Sequence, residues 1–448
     1  MNLKFIISLF YLLLSTLVTP VVYAKHWTLQ SSVAQAMIVS PELRQSSAKI
    51  GERDADLQLS DMWPDPSISL KVDNQVGLDT GTGDYALSEI SISQDIPLSR
   101  IKFQKSVAQA QLSAAVHEKS NDTLVLQNRV EKVFYELQLA TSIYNLAIQQ
   151  VKFADRYNEP SLQNNQGSVV RYLTPLEKMR LSIIREKAHQ AESAAEGKLQ
   201  ETRTKFYKLL IIEADENLTV PELLPLETIP VLSELSARQV NHPVLSTQQQ
   251  TLQAAMNEID LARSSVMKDP SISLNRLREN FSSGTESVYG IMFNIEIPIH
   301  DRKSSVVSKA SYNASQQRIE LGHLKHGLEM NLKRSFMHLN HVTEQAEEYK
   351  KKVLAPATKI LTLSKQGFAS GELNILSLVD ANNTYFESNM QYLDLIYQSW
   401  NELAEINLYT GIFVLDETVQ IEDRSPMNKQ VNNLMNKPSV KDQTTGEK

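Results

Sequence analysis

Two histidine pairs are the first candidates for chemistry, His323 with His326 and His338 with His341. Each spacing puts both imidazoles on one face of a helix, where they could share a cation. Zinc, however, takes three or four protein ligands in structural and catalytic sites. The pairs are fifteen residues apart, a separation of about 60° around a helix and about 22 Å along it, so they cannot join. They read as histidines on a polar helix surface. His117-Glu118 has no partner at zincin spacing. Gly81-Thr82-Gly83 is a turn and not a phosphate cradle, since no Lys-Ser/Thr follows it. With no cysteine and no Gly-x-Ser-x-Gly elbow, a nucleophilic enzyme has no support. The sequence predicts no enzyme, no cofactor and no metal site. A net charge of -7 gives no reason to expect a nucleic-acid partner.

The elements that would carry any site come in two copies. Asp-Pro-Ser-Ile-Ser-Leu occurs at Asp65 to Leu70 and again at Asp269 to Leu274. Ser40-Pro-Glu-Leu43 precedes the first copy much as His242-Pro-Val-Leu245 precedes the second, and Ile96-Pro97-Leu98 is matched by Ile297-Pro298-Ile299. A period of about 200 residues is a duplicated unit rather than a solenoid of short repeats. Ahead of the first copy, Lys4, the apolar run from Phe5 to about Val22 and Val22-Tyr23-Ala24 have the order of a secretory signal peptide, residues 1–24. The expected units are 25–230 and 231–416. Beyond Asp416 the chain turns polar, and 417–448 reads as a disordered periplasmic tail.

Each unit reads as a helix, two strands and a very long helical stretch. Ile68, Leu70 and Val72 alternate with Ser67, Ser69, Lys71 and Asp73. After a turn-rich stretch from Gly77 to Asp84, Ile90, Ile92 and Ile96 alternate with Glu89, Ser91, Ser93 and Asp95. The second copy has Ile272 and Leu274, a loop near Ser282-Ser283-Gly284, then Tyr289, Ile291, Phe293, Ile295 and Ile297. Period-two alternation makes strands with one greasy and one wet face. The spans, about 65–75, 85–96, 269–279 and 287–298, suit either a soluble core or a tilted bilayer crossing. The helical stretches decide between these. From Leu126 the apolar positions run Val130, Val133, Leu137, Ala140, Tyr144, Ala147, Val151 and Ala154, a coiled-coil seam. Phe386, Met390, Leu393, Tyr397, Trp400 and Ala404 repeat it near the end of the second unit. A helix from about Ser99 to Tyr157 would reach roughly 90 Å, too long for a compact globule. The fold class is therefore mainly α with a small β part: a helical rod with a membrane-embedded end.

Only helices and closed barrels cross a bilayer. Four strands from one chain cannot close around a lumen, and eight from two chains would be filled by their own side chains. Twelve from three chains leave a passage, so a homotrimer is the economical assembly.

On these features the chain resembles the TolC-type outer-membrane efflux proteins of Gram-negative bacteria, over about Gln30 to Gly411. The likeness rests on the two-unit layout, the Asp-Pro-Ser-Ile-Ser-Leu strand openings, the Ile-Pro steps, Gly367-Phe-Ala-Ser-Gly371-Glu-Leu-Asn-Ile-Leu-Ser-Leu-Val-Asp380-Ala381 and Tyr409-Thr410-Gly411. Ser93-Gln-Asp-Ile-Pro-Leu98 and Asn294-Ile-Glu-Ile-Pro-Ile-His-Asp-Arg302 look most like its heavy-metal (CzcC/CusC-like) branch. The resemblance implies a twelve-stranded outer-membrane barrel in lipid, a long periplasmic helical barrel, and docking onto a periplasmic adaptor and an inner-membrane pump of the resistance-nodulation-division (RND) type. It also implies that Gly367 and Gly371 form the periplasmic tip turn. The family's aperture carboxylates align with Ser377 and Asp380, one acid kept and one replaced by a hydroxyl. Three copies of Asp380 would form one anionic ring. The first unit's tip, Arg156-Tyr157-Asn158 with polar Glu159 to Gly167, departs more. A type I protein-secretion channel and a soluble periplasmic coiled-coil scaffold remain the alternatives.

Overall fold

The computed structural model describes residues 26–73, 87–97, 100–158, 174–215, 218–265, 269–281, 284–297 and 302–415. The expected signal peptide, the turn at Gly77 to Asp84, the Glu159 to Gly167 segment and the polar tail lie outside them.

The element order repeats, as the motif echo predicts. A short α1 (Leu29–Val39) leads in. The first set is α2 (Pro41–Ser60), β1 (Ser67–Asp73), β2 (Leu87–Asp95), α3 (Arg100–Asn158) and α4 (Pro175–Leu210). After α5 (Leu232–Gln239), the second set is α6 (Pro243–Ser264), β3 (Ser271–Phe281), β4 (Gly284–Asn294), α7 (Arg302–Tyr349), α8 (Ala355–Ala369) and α9 (Ile375–Thr410). The matched Ser-Pro and His-Pro motifs do the same local work. Ser40 Oγ accepts from Leu43 N and His242 Nδ1 accepts from Val244 N, each capping a helix whose proline sits in the first turn. Thr174 and Glu177 form a reciprocal capping box that starts α4. Between α7 and α8 the chain widens into one π turn, Lys350–Leu354, just before Pro356. Proline offers no N–H to the ladder, and the wider turn absorbs the mismatch.

At 59 residues, α3 is about 88 Å long. Its predicted seam is the packed one: Leu126, Val130, Leu137, Ala140, Val151 and Ala154 are buried. The seam predicted for α9 is corrected in part. Phe386 and Ala404 are buried, but Met390 is exposed, and Leu395, Ile396 and Ile406 fill the contacts instead. A single heptad line assumes one neighbour, whereas α9 packs on α3, α7 and α8.

The four strands form one antiparallel sheet in chain order, β1-β2-β3-β4. Pairing in the second hairpin runs on to Phe281 and Gly284, so β4 starts three residues before the sequence-based bound. Gly284 makes this possible with φ +137°, a conformation that resists a side chain. In the first hairpin the described strands cover seven and nine residues. Among the described residues both outer edges, on β1 and β4, are unpaired.

Candidate functional site: a two-faced sheet and a helical tip

The register sorts side chains by face. One face carries the rows Ile68, Ile92, Leu274, Ile291 and Leu70, Ile90, Arg276, Tyr289, with Ile272 and Phe293 below them. These apolar side chains are exposed, Ile291 at 79% and Ile68 at 71%. On the opposite face hydroxyls and amides bond across strands. Ser69 and Ser91 Oγ are 2.7 Å apart, Ser273 Oγ donates to Ser93 Oγ (2.8 Å), and Asn275 Nδ2 donates to Glu89 Oε1 (3.3 Å). Lys71 stands opposite Glu89 on that same face. Among the described side chains, Leu277, Val288 and Met292 are its apolar exceptions. An added Cβ on Gly290 would lie 2.5 Å from Asn275 Oδ1, so the Asn275 side chain would have to turn to make room. The sheet thus has an oily face, a hydrogen-bonding face and two open edges. An oily face with no protein cover fits lipid, and a polar one fits water.

The root of the sheet is pinned to the helices. Arg100, in the first turn of α3, pairs with Asp269 of the second motif copy at 3.0 Å. Gln94 Nε2 donates to Pro64 O (2.8 Å), and Ile96 N donates to Pro270 O (2.8 Å). Trp63, beside this root, is 60% exposed.

Far along the helices is a buried polar waist. Gln127 Nε2 and Asn407 Nδ2 donate to the two oxygens of Glu131, at 2.7 and 3.2 Å. Gln127 also donates to Ile412 O (3.0 Å) and accepts from Val414 N (3.0 Å), and Asn128 Nδ2 donates to Ala404 O (2.9 Å). Burial raises the Glu131 carboxyl to about 7, against the partial relief of its two amide bonds. His242, held between Val244 N and Leu408 O, has its pKa lowered by burial. These groups lock the end of α9 onto the middle of α3. Nothing in the sequence spacing announced this cluster, since its partners are almost 300 residues apart.

At the other end, α8 turns into α9. Gly371 has φ +80°, which a side chain would strain. A Cβ on Gly367 would meet Leu373 Cδ1 at 2.8 Å. Asn374 caps α9, with Oδ1 accepting from both the N–H (2.8 Å) and the hydroxyl (2.9 Å) of Ser377. Ser377 is thus engaged in the cap. Asp380 lies one turn on and is exposed, and among the described residues its carboxylate has no ion pair. Behind it, Ile375, Leu378, Val379 and Ala381 pack with Leu181 of α4 and Leu361 of α8. Tyr157 meets Phe368 edge-on at 5.6 Å, so the end of α3 and the α8–α9 turn share one core.

All four paired histidines are exposed, and His338 Nδ1 contacts Glu402 Oε1 at 2.9 Å. Among the described residues no group of three or more His, Asp or Glu side chains could hold a metal ion. A cleft of about 220 Å³ between α2, α3, α6 and α7 is lined by Lys49, Glu118, Glu258 and Asn313, among others. Its polar groups satisfy each other: Lys49 binds Glu118 (2.7 Å) and Asn313 donates to Glu258 (3.0 Å).

The same fold occurs in CusC, a transmembrane channel, at 18% identity and TM-score 0.68, covering 86% of this chain and 91% of that one. The chain has the TolC-type outer-membrane channel fold. The MtrE outer-membrane channel of Neisseria gonorrhoeae, in its open state, gives 16% identity and TM-score 0.69 over 86% of this chain and 88% of that one. In sequence, the chain is 22% identical over 399 residues to the cobalt-zinc-cadmium resistance protein CzcC of Cupriavidus metallidurans, covering 86% of this chain and 90% of that relative. No protein-family model matches.

Proposed function

We propose that this chain is the outer-membrane exit duct of a tripartite efflux system in a Gram-negative cell, passing heavy-metal cations. Three copies close twelve strands around water, β4 of each pairing with β1 of the next, and α3, α4, α7, α8 and α9 continue the tube into the periplasm. Each repeat, 25–230 and 231–416, supplies one hairpin. A periplasmic adaptor grips the helical tip and an RND-type pump drives the cargo. The duct itself does no covalent chemistry. Three Asp380 carboxylates line its narrow end as an anionic ring that favours cations, while Ser377 and the Gly367–Gly371 turn set the ring's position.

The observation that carries this reading is the sheet: oily on one face, hydrogen-bonded on the other and, among the described residues, open at both edges. A soluble scaffold would have to leave that apolar face in water. Support for metal cargo comes from the likeness to CzcC, named for cobalt, zinc and cadmium resistance, and the ring supplies a physical basis for cation passage. Native mass spectrometry of detergent-extracted protein should give a trimer, and planar bilayers should give cation-selective conductance. Deletion should lower tolerance to cobalt, zinc or cadmium. A monomer without conductance would remove the duct, and unchanged metal tolerance would remove the cargo.

A further inference from the structure

Two charged side chains stand on the oily face of the sheet, and both are arginines. Arg276 and Arg278 occupy positions of β3 that point with Ile272 and Leu274, and both are exposed. Alternation therefore assigns them to the lipid side rather than the lumen. Arg276 shares its row with Leu70, Ile90 and Tyr289, and its guanidinium carbon lies 5.7 Å from the Tyr289 ring centroid. Arg278 is one row nearer the hairpin end, level with Val72, Ser88 and Ser287. Among the described residues no carboxylate stands on this face, and neither arginine has an ion pair. The carboxylates of the sheet, Glu89 and Glu286 among them, are all on the opposite face by register.

An arginine facing acyl chains is tolerated near the interface, where its long stem reaches headgroups, and is costly at mid-bilayer. Arg276 is the sixth and Arg278 the eighth of the eleven residues of β3 counted from the helical end. The row of Arg278 on this face carries Ser88 and Ser287, so the two stand where the oily band ends, on its outer-leaflet side. Tyr289 marks the same level, as an interfacial aromatic does, and Trp63 marks the other end of the oily band. Two adjacent guanidinium forks without a protein anion are matched by phosphate, which each can bind through two parallel hydrogen bonds. Tyr289 would hold the Arg276 fork in place from the side.

We propose that Arg276 and Arg278 form a clamp on the barrel's outer surface for the phosphorylated headgroup of an outer-leaflet lipid, fixing the depth of the barrel in the membrane. This rests on the duct reading and adds a ligand class to it. The test uses full-length protein in nanodiscs, with native mass spectrometry counting retained lipid. The probes are bis-phosphorylated lipid A, its dephosphorylated form and phosphatidylglycerol, with inorganic phosphate as competitor. Wild type should retain bis-phosphorylated lipid A at least tenfold better than the dephosphorylated form. R276Q/R278Q should lose that preference while remaining trimeric and conducting, and R276K/R278K should keep part of it. Millimolar inorganic phosphate should not displace the lipid. Equal retention by wild type and R276Q/R278Q in conducting trimers would overturn the clamp, as would displacement by free phosphate. A preference for phosphatidylglycerol over lipid A would overturn the outer-leaflet assignment. A wild type that neither inserts nor conducts would instead sink the duct reading itself.

Discussion

Replacing Glu131 with glutamine is expected to remove a pH-dependent weakness from the waist of the protomer. Burial holds the Glu131 carboxyl at about 7, against an ordinary 4.5. Because the folded value is the higher one, the native state binds this proton more tightly than the unfolded chain does. The resulting stability is fully present below about pH 4.5 and is lost as pH rises through 7. The difference of about 2.5 units, at 1.36 kcal/mol each, amounts to about 3 kcal/mol across that window. For a chain of this length that is about 3 to 4 °C in melting temperature. The substitution is accommodated by the existing network. Gln127 Nε2 still finds an acceptor in the new amide oxygen, and it cannot turn because Ile412 O and Val414 N hold its amide. Among the described residues Asn407 has no such second hold on its side chain, so it can flip to accept from the new Nε2. Melting followed by circular dichroism at 222 nm in detergent, between pH 5 and 8.5, reads the outcome. The Tm of E131Q minus that of wild type should grow by about 3 to 4 °C toward the alkaline end. A constant difference, or one that grows toward acid, would refute the burial argument.

The strand repeat predicts how neighbouring protomers join. Mapping the β2–β3 register onto β4 and the next chain's β1 places Phe293 opposite Leu70 and Ile295 opposite Ile68. An L70C/F293C protein should therefore form a covalent trimer on oxidation, while L70C/M292C should not. Substituting Asp380 with asparagine should reduce cation selectivity and raise resting conductance, and S377D, which doubles the acidic ring, should do the reverse; single-channel recordings at two salt concentrations distinguish these. Gly371→Ala forces a side chain into φ +80° and should cost the tip about 1 kcal/mol, visible as faster amide exchange in α8 and the start of α9 with no change in the waist.

Period-two alternation was enough to find all four strands, and the period-3.5 line from Leu126 was enough to find a packed side of α3. The same period misjudged α9, where Met390 faces out while Leu395 and Ile396 are buried among several helices. It also missed the polar waist, since Gln127, Glu131 and Asn407 become meaningful only when distant segments meet. Arg276 and Arg278 were hidden for another reason. They fall in phase with Ile272 and Leu274, and only the register of three paired strands makes their side of the sheet evident. The turn at Gly367 and Gly371 came from the family resemblance, whereas the role of Ser377 as partner of the Asn374 cap depended on knowing where α9 begins.

Spin labels placed along β3 and β4, at Ser273, Ile291, Met292, Phe293 and Ile295 of the reconstituted protein, interrogate the sheet directly. Labels at Ile291, Phe293 and Ile295 should be relaxed mainly by oxygen dissolved in the acyl region, and those at Ser273 and Met292 mainly by a water-soluble nickel chelate. Uniform shielding from both reagents would mean that protein covers the sheet, and an inverted pattern would place the lumen on the wrong side.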